Sequence, residues 1–294
     1  MPLVETGSIV AEAALDRVAA AAFNVITLEH AEAIVAGAER VGQPVILQIS
    51  ENAVRFHHGR LGPIAAAARA VAGQAAVPVA LHLDHVESVD LLHQAPEHGF
   101  SSVMVDASAL PYADNVAATA AAVRFGRDHG LWVESELGTV GGKDGAAPLS
   151  PHAPGARTDP AEAAAYVAET GVDALAVAVG SSHARLHRDA VLNHQLIAAL
   201  AAQVKVPLVL HGSSGVPDEE LRRAVAGGLV KVNIGTALNI AFTGTVTEAL
   251  VGTGSPPVDP RKYLAPARAA MADTVAHFLT VLGRPGPAVP SDPA

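Results

Sequence analysis

The segment VPVALHLDH, residues 77–85, decides the fold, because an almost wholly apolar run ends in a carboxylate and an imidazole. Runs of this kind are typical of strands in a parallel sheet that helices cover on its faces. Two later segments repeat the pattern: ALAVAVGSS (174–182) precedes His183, and VPLVLHG (206–212) ends around His211. Three imidazoles from three separate strands, in a chain without cysteine, are the ligand pattern of an open catalytic zinc site.

The pattern of short apolar runs bounded by turn residues predicts eight strands, most of them followed by a helix rich in Ala and Leu. The strands are predicted at 22–27, 45–50, 77–85, 102–108, 131–137, 174–180, 207–211 and 230–234, and the helices at 29–41, 63–73, 115–130, 159–171, 193–203, 218–227 and 267–282. Eight strand–helix units predict an α/β chain that closes as a (β/α)8 TIM barrel. An open doubly wound sheet is the alternative, and the absence of a GxGxxG motif after the first strand counts against it.

We expect one barrel domain over residues 1–283, with the last helix included, and a disordered tail at 284–294, RPGPAVPSDPA. Residues 138–160 are rich in Gly and Pro and predict a long loop after the fifth strand. Loops of that length inside a compact domain are often mobile covers of an active site.

Composition excludes several classes of protein. The chain has 294 residues, half of them apolar, and a net charge of −10 without a basic stripe, so neither a nucleic acid nor a membrane surface is an expected partner. The absence of cysteine excludes disulfides. The N-terminus lacks the pattern of a signal peptide, and no apolar run is long enough to span a bilayer. We therefore expect a soluble cytoplasmic protein.

In such a barrel the carboxyl ends of the strands meet at one rim, where active sites assemble. His85, His183 and His211 are expected to converge there beside Asp84. Acidic residues end two further strands, namely Asp106, Glu134 and Glu136. Because carboxylates in strands are costly to bury unpaired, they predict a second cation position or a shell that orients the ligands. His82, two residues before Asp84, is interpreted as part of that shell or of the core.

The loops after the seventh and eighth strands, HGSSG (211–215) and VKVNIGT (230–236), have the composition of a phosphate cradle. The candidate contacts are Gly212, Ser213, Ser214, Asn233, Gly235 and Thr236. The alternative is that both are ordinary tight turns. Asn24 and Ser50, which end the first two strands, are further candidates for polar contacts. Lys231 is expected either to face the barrel interior or to form a buried structural ion pair.

Taken together, these segments resemble the class II, metal-dependent fructose-bisphosphate/tagatose-bisphosphate aldolase family. The resemblance runs along nearly the whole chain, through AFNVITLEHAEAIVAGAE, PVILQIS, HLDH, GFSSVMVDASALPYADNV, VESELGTVGG, HGSSG, VKVNIGT and DPRKYLAPAR. It implies a lyase built on a zinc-centred barrel, which reversibly joins dihydroxyacetone phosphate to an aldehyde. It also implies a homodimer or homotetramer.

The matching motifs imply a role for each candidate. His85, His183 and His211 take the roles of zinc ligands, and Asp84 takes that of the proton donor. Asp106 and Glu136 match positions that hold a second divalent ion in some members of the family. The contacts to dihydroxyacetone phosphate are implied for Gly212, Ser213, Ser214, Asn233, Ile234, Gly235 and Thr236.

The chain departs from the family pattern at three positions. Ala184 stands where the family usually has a glycine after the histidine. Two outcomes are open there: a backbone contact to a ligand survives, or the methyl group crowds a ligand or a monovalent cation site. The segment GGKDG (141–145) lacks the usual glutamate, so Asp144 is the nearest carboxylate. Gly235 stands where many fructose-bisphosphate members have an aspartate, which favours the tagatose-like branch. Two alternative functions stay open: an epimerase or aldolase for another sugar, and a barrel that binds sugar phosphates with weakened turnover.

Overall fold

Eight parallel strands close into a barrel in which each strand pairs with its neighbours in the chain. The strands are β1 Ala20–Asn24, β2 Val45–Ser50, β3 Val79–Val86, β4 Ser102–Val105, β5 Trp132–Leu137, β6 Ala174–Val177, β7 Leu208–Leu210 and β8 Leu229–Ile234. Pairing of β1 with β8, with Phe23 opposite Ile234, closes the ring. This computed structural model describes residues 2–138, 156–251 and 257–283.

Helices surround the barrel and close its amino-terminal end. They are α1 Thr6–Asp16, α2 Leu28–Val41, α3 Glu51–Phe56, α4 Leu61–Ala72, α5 Val89–Gln94, α6 Tyr112–His129, α7 Pro160–Thr170, α8 His194–Gln203, α9 Asp218–Ala226, α10 Thr236–Val251 and α11 Arg261–Leu282. A single 3₁₀ turn, Ser213–Gly215, follows β7. None of the helices in the described ranges is long and apolar enough to cross a membrane.

The core has two layers because successive side chains of each strand point to opposite faces. The outward-facing side chains, such as Phe23, Leu47 and Leu83, pack under the helices in one large apolar cluster. Inside the barrel, small side chains such as Ala22 and Ala80 form a second cluster, which α1 covers from below. The polar residues at the carboxyl ends of the strands therefore rest on a packed interior.

The barrel prediction is confirmed, and the predicted strands coincide with the observed ones to within a few residues. The sequence reasoning gave no range for four helices. It missed α1, α3 and α5, because two of them have only six residues and α1 begins without a side-chain cap, and it placed only the start of α10, near Thr236. The predicted cover loop falls largely on residues 139–155, which lie outside the described residues together with the tail at 284–294. The single-domain organisation stays a prediction.

Candidate active site

A cavity of about 450 Å³ opens at the carboxyl ends of the strands. Polar residues that the sequence singled out line it: Asn24, Ser50, Asp84, His85, Asp106, His183, Gly212, Ser213, Ser214, Asn233, Gly235 and Thr236. His211 and Glu136 lie beneath this lining with no solvent exposure. The barrel thus brings together residues that are up to about two hundred positions apart in the sequence. This agrees with the expectation that active sites of such barrels form at the carboxyl ends of the strands.

Asp84 and His85 are consecutive in β3, and yet both side chains line the cavity. In a regular strand they would point to opposite faces of the sheet. His85 has a left-handed backbone with φ 48°, and the pairing of β3 with β4 shifts register between Leu83 and Val86. This local irregularity directs both groups to the same cavity. A left-handed backbone costs a non-glycine residue roughly 1–2 kcal/mol, so the rest of the site must hold it in place.

The three predicted histidine ligands meet at the floor of the cavity. His85, His183 and His211 each offer a ring nitrogen, and these atoms lie within 4.8 Å of one another. The ring centroids of His85 and His211 are 4.7 Å apart, and those of His85 and His183 are 5.3 Å apart. Three imidazoles with an open fourth side are the donor set of a catalytic zinc site.

The surroundings of His211 leave one of its nitrogens available to a metal. Nε2 hydrogen-bonds to Glu134 Oε1 at 2.8 Å. Nδ1 is buried, makes no hydrogen bond to any of the described residues, and lies 3.4 Å from Glu136 Oε2. A buried nitrogen in this condition is costly unless something binds it. The residues therefore fit a divalent metal.

A second group of possible ligands shares His85 with the first. His85, Asp106 and Glu136 also have ligand atoms within 4.8 Å of one another. His85 Nδ1 donates to Asp106 Oδ2 at 2.8 Å, and Ser108 Oγ donates to the other oxygen, Oδ1, at 2.6 Å. Asp106 thus orients the imidazole of His85 and is itself held in place. Both sequence interpretations of the acids, an orienting shell and a second cation position, are compatible with this geometry.

Asp84 is only 1 % exposed and is surrounded by basic groups. Burial acts to raise its pKa, but His85, His211, His82 and Lys231 outweigh burial and bring the pKa below its ordinary value. Asn233 Nδ2 donates to Asp84 Oδ1 at 3.4 Å. Asp84 is therefore a carboxylate at neutral pH and is able to accept a proton.

His82 lies beneath Asp84 and is completely buried. Burial, and then the charge of Lys231, lowers the pKa of His82 to about 3, so its ring is neutral. Its Nδ1 hydrogen-bonds to Ser102 Oγ at 2.8 Å, and Nε2 is 3.8 Å from Asp84 Oδ1. The sequence interpretation of His82 as a shell or core residue agrees with this position.

The loops after β7 and β8 are tied together by hydrogen bonds. Ser213 Oγ donates to the backbone oxygen of Asn233 at 2.5 Å, and the Ala237 N–H donates to Ser214 Oγ at 3.1 Å. The helix α10 begins at Thr236 beside them, so the positive end of its dipole lies at the cavity. This arrangement is suited to an anionic group such as a phosphate.

Ile234 differs from its neighbours in the predicted set. Its side chain is completely buried in the outer apolar cluster and is absent from the cavity lining. The reason is strand alternation, since Asn233 faces the barrel interior and Ile234 must then face the helices. Any substrate contact of Ile234 would involve its backbone alone.

Lys231 and Glu134 form a buried ion pair inside the barrel. Lys231 Nζ donates to Glu134 Oε2 at 2.8 Å, and neither side chain is exposed. Burial acts to raise the pKa of Glu134, but Lys231 and His211 lower it well below its usual range. The sequence reasoning held the ion pair and the inward orientation as equal alternatives for Lys231; the structure has both.

Sequence reasoning missed the contribution of α3 to the cavity, including Glu51, Asn52 and Arg55. Among the residues that the structure describes, Arg55 is the only lysine or arginine in the lining, and its guanidinium donates to Glu51 Oε1 at 2.8 Å. A signal for this helix was present, because Ser50 is its N-cap and accepts a hydrogen bond from the Ala53 N–H at 3.2 Å. Gln48, also missed, donates to Asn24 Oδ1 at 2.5 Å.

Comparison with known proteins agrees with this geometry. The family model described as "Fructose-bisphosphate aldolase class-II" matches residues 4–287. The chain is 36% identical over 281 residues to a fructose-bisphosphate aldolase of Staphylococcus epidermidis, covering 94% of this chain and 95% of the relative. It is 38% identical over 278 residues to the probable fructose-bisphosphate aldolase of Bacillus subtilis, with the same coverage.

Two solved structures are similar over almost their whole length. The YdjI aldolase from Escherichia coli K12 is 30% identical, with a TM-score of 0.80, over 97% of this chain and 98% of that one. A putative fructose-1,6-bisphosphate aldolase from Coccidioides immitis is 26% identical, with a TM-score of 0.81, over 95% and 96% of the two chains.

Proposed function

We infer the roles of these side chains from one premise: the chain belongs to the class-II fructose-bisphosphate aldolase family. It is a lyase that reversibly cleaves a ketose bisphosphate into dihydroxyacetone phosphate and an aldehyde phosphate. The observation that carries our assignment of roles is the meeting of three histidine nitrogens within 4.8 Å of one another, beside the ionised Asp84.

We propose that His85, His183 and His211 hold the zinc ion on which this family depends. The set of three imidazole donors and the buried Nδ1 of His211 support this assignment. When bound, the ion supplies a Lewis acid that stabilises the negative charge left on the ketone fragment as the carbon–carbon bond breaks.

Asp84 is proposed to move the proton of the reaction. In the cleavage direction its carboxylate accepts the proton of the hydroxyl group that becomes the aldehyde, and in the condensation direction it returns that proton. The low pKa supports the accepting role, and the hydrogen bond from Asn233 Nδ2 orients the carboxylate. Acid–base catalysis of this kind contributes roughly 10²–10⁴ in rate.

The phosphate of dihydroxyacetone phosphate is proposed to bind between the loops after β7 and β8. Gly212, Ser213 and Ser214 line one side of this place, and Asn233, Gly235 and Thr236 line the other. The amino-terminal end of α10 supports the proposal, because its positive dipole end attracts an anion without adding a buried cation. Asn24 and Ser50 are proposed as polar contacts to the sugar.

Two further ions belong to the proposal. A second divalent ion would use Asp106 and Glu136, whose ligand atoms lie within 4.8 Å of each other. A monovalent ion beside His183 and Ala184 would be held by backbone oxygen atoms. The left-handed backbone of Ala184, with φ 57°, supports this site, because alanine here keeps the conformation that glycine would provide.

We propose a tagatose-like preference for the sugar. A Cβ atom built on Gly235 would lie 3.0 Å from Asn24 Oδ1, so an aspartate at this position would require Asn24 to move. Asn24 is held in turn by Gln48. Arg261 is absent from the cavity lining and pairs with Asp259 at 2.8 Å. Assembly as a homodimer or homotetramer stays a prediction.

The experiment is a substrate panel on zinc-loaded protein, with fructose and tagatose bisphosphates compared under the same conditions. We expect cleavage of at least one of them, faster for tagatose bisphosphate, with loss of activity on chelation and recovery on adding zinc. Protein that contains zinc but turns over no phosphorylated ketose would rule out the assigned roles. A clear preference for fructose bisphosphate would rule out the proposed sugar.

A further inference from the structure

Five buried polar residues form a continuous network at the base of the site. Lys231 Nζ donates to Glu134 Oε2 at 2.8 Å and to Asn233 Oδ1 at 2.7 Å. Glu134 Oε1 is 2.8 Å from His211 Nε2. Asn233 Nδ2 is 3.1 Å from the same nitrogen and 3.4 Å from Asp84 Oδ1. Lys231 therefore contacts both Glu134 and Asn233, the two residues that lie against His211 Nε2.

The direction of each hydrogen bond follows from the ammonium group. A lysine ammonium only donates, and the carboxylate paired with it only accepts. His211 Nε2 must then carry the proton that it shares with Glu134. Since the Asn233 NH₂ group is also a donor, its 3.1 Å contact with Nε2 is not a hydrogen bond. The remaining ring nitrogen, Nδ1, keeps its lone pair, and it is the buried atom that has no hydrogen bond within the described residues.

The same ammonium sets the orientation of the Asn233 amide. Because Lys231 Nζ offers only protons, the amide must turn its oxygen towards Lys231 and its NH₂ group towards Asp84. A proton donor is thereby held beside the carboxylate. Lys231 consequently determines which group donates and which accepts in two contacts, that of His211 with Glu134 and that of Asn233 with Asp84.

We propose that Lys231 is a positioning residue that, through Glu134 and Asn233, fixes His211 in the tautomer able to bind the metal and orients Asp84. The inference rests on the proposed metal role of His211. Carboxylate partners of metal-binding histidines typically contribute 10- to 100-fold to metal affinity. Lys231 occupies one of the two oxygen atoms of Glu134. A glutamine at this position would have only one oxygen, so it could not accept hydrogen bonds from both Lys231 and His211.

The first test is Glu134→Gln, a change of almost no volume. The new amide must give its oxygen to Lys231, because the ammonium group cannot accept a hydrogen bond, so its NH₂ group faces His211 Nε2. The imidazole proton then moves to Nδ1, which can no longer bind a metal. We expect zinc affinity to fall by about 10- to 100-fold, measured by competition with a chromophoric chelator.

The second test adds Lys231→Met to Glu134→Gln. Without the ammonium, the amide is free to turn, to give its oxygen to His211 Nε2 and its NH₂ group to the oxygen of Asn233. The double variant should therefore regain most of the lost zinc affinity. A purely structural role of Lys231 predicts the opposite, since removing a second buried polar group would add to the damage.

Two controls separate this effect from a loss of folding. Tyr166→Phe removes a hydroxyl that is equally buried but lies among Thr119, Ser135 and Asn115 outside the barrel interior, so it should lower the melting temperature and leave zinc affinity unchanged. In metal-free protein with ¹⁵N-labelled histidine, NMR should find His211 protonated at Nε2 in the wild type and at Nδ1 in Glu134→Gln.

The outcomes are distinguishable. Wild-type protein that does not bind zinc would refute the proposed metal site itself. Wild-type protein that binds zinc, with unchanged affinity in Glu134→Gln or no recovery in the double variant, would refute only the role of Lys231. Should the variants fail to fold, an Nδ1–H tautomer of His211 in the metal-free wild type would refute it as well.

Discussion

Gly212 lies directly against the backbone of Ser182. A Cβ atom built on Gly212 would be 2.5 Å from the carbonyl carbon of Ser182 and 2.7 Å from its oxygen, and the glycine itself has φ 66°. This contact joins the loop that carries His183 to the loop that follows His211. The spacing between the proposed metal ligands His183 and His211 therefore depends on a close contact that requires glycine at position 212.

We predict that Gly212→Ala lowers both stability and substrate affinity. The strain of the left-handed backbone and the clash with Ser182 together should cost roughly 2–4 kcal/mol in unfolding by denaturant. The Michaelis constant for dihydroxyacetone phosphate should rise as the loop bearing Ser213 moves. Gly59→Ala is the matched control, because Gly59 has φ 72° with nothing within 4 Å of the built Cβ. Equal losses in the two variants would mean that the Ser182 contact is unimportant.

Ala184→Gly should stabilise the protein. Ala184 has φ 57°, a conformation that strains alanine and suits glycine. Relief of that strain exceeds the larger unfolded-state entropy of glycine, so we expect a gain of up to about 1 kcal/mol in the free energy of unfolding. Ala165→Gly, at an exposed position of α7, is the control and should lose about 1 kcal/mol. A loss in both variants would contradict the strain at Ala184.

Asp84→Ala and His211→Ala should separate proton transfer from metal binding. Asp84→Ala should keep its zinc and its fold while cleavage falls by roughly 10²–10⁴. His211→Ala should lose the metal as well, because it removes one of three ligands. Elemental analysis of purified protein and steady-state kinetics provide the two measurements. Equal loss of zinc from both variants would make Asp84 a ligand.

The stability contribution of Glu220 should depend on pH. The hydrogen bond from the Leu192 N–H lowers the pKa of Glu220; burial opposes this effect, and the bond from His194 reinforces it. A carboxyl group with a lowered pKa stabilises the fold above its unfolded value, about 4.3, and the contribution disappears as pH falls through the folded value. Glu220→Gln should therefore lower the free energy of unfolding by about 1 kcal/mol at neutral pH, and by less at a pH below the folded-state pKa of Glu220.

The measurement is denaturant unfolding of the wild type and of Glu220→Gln from neutral to acid pH. Glu219→Gln is the control, since the Glu219 side chain is 75% exposed and lies 3.8 Å from its partner Arg222. It should have little effect at any pH. A constant difference between wild type and Glu220→Gln from neutral to acid pH would contradict the assigned origin of the contribution.

The amino-acid sequence determined the barrel and most of the site. Apolar strand-like runs alternating with helices leave few alternatives to a closed parallel sheet, and in such a sheet polar residues after the strands must converge. Asp84, His85, His183 and His211 could be selected for this reason alone. The short helix α3 was not predicted, because six residues are too few for a helical period to be recognised.

Only the tertiary structure decided how those residues are held. The left-handed backbone of His85, the ion pair between Lys231 and Glu134, and the contact of Gly212 with Ser182 depend on the register between segments that are far apart in the chain. The outward packing of Ile234 depends on it as well. Residue types and spacing specify which groups reach the rim. The direction of each hydrogen bond is set by neighbours that the closed barrel alone brings within reach.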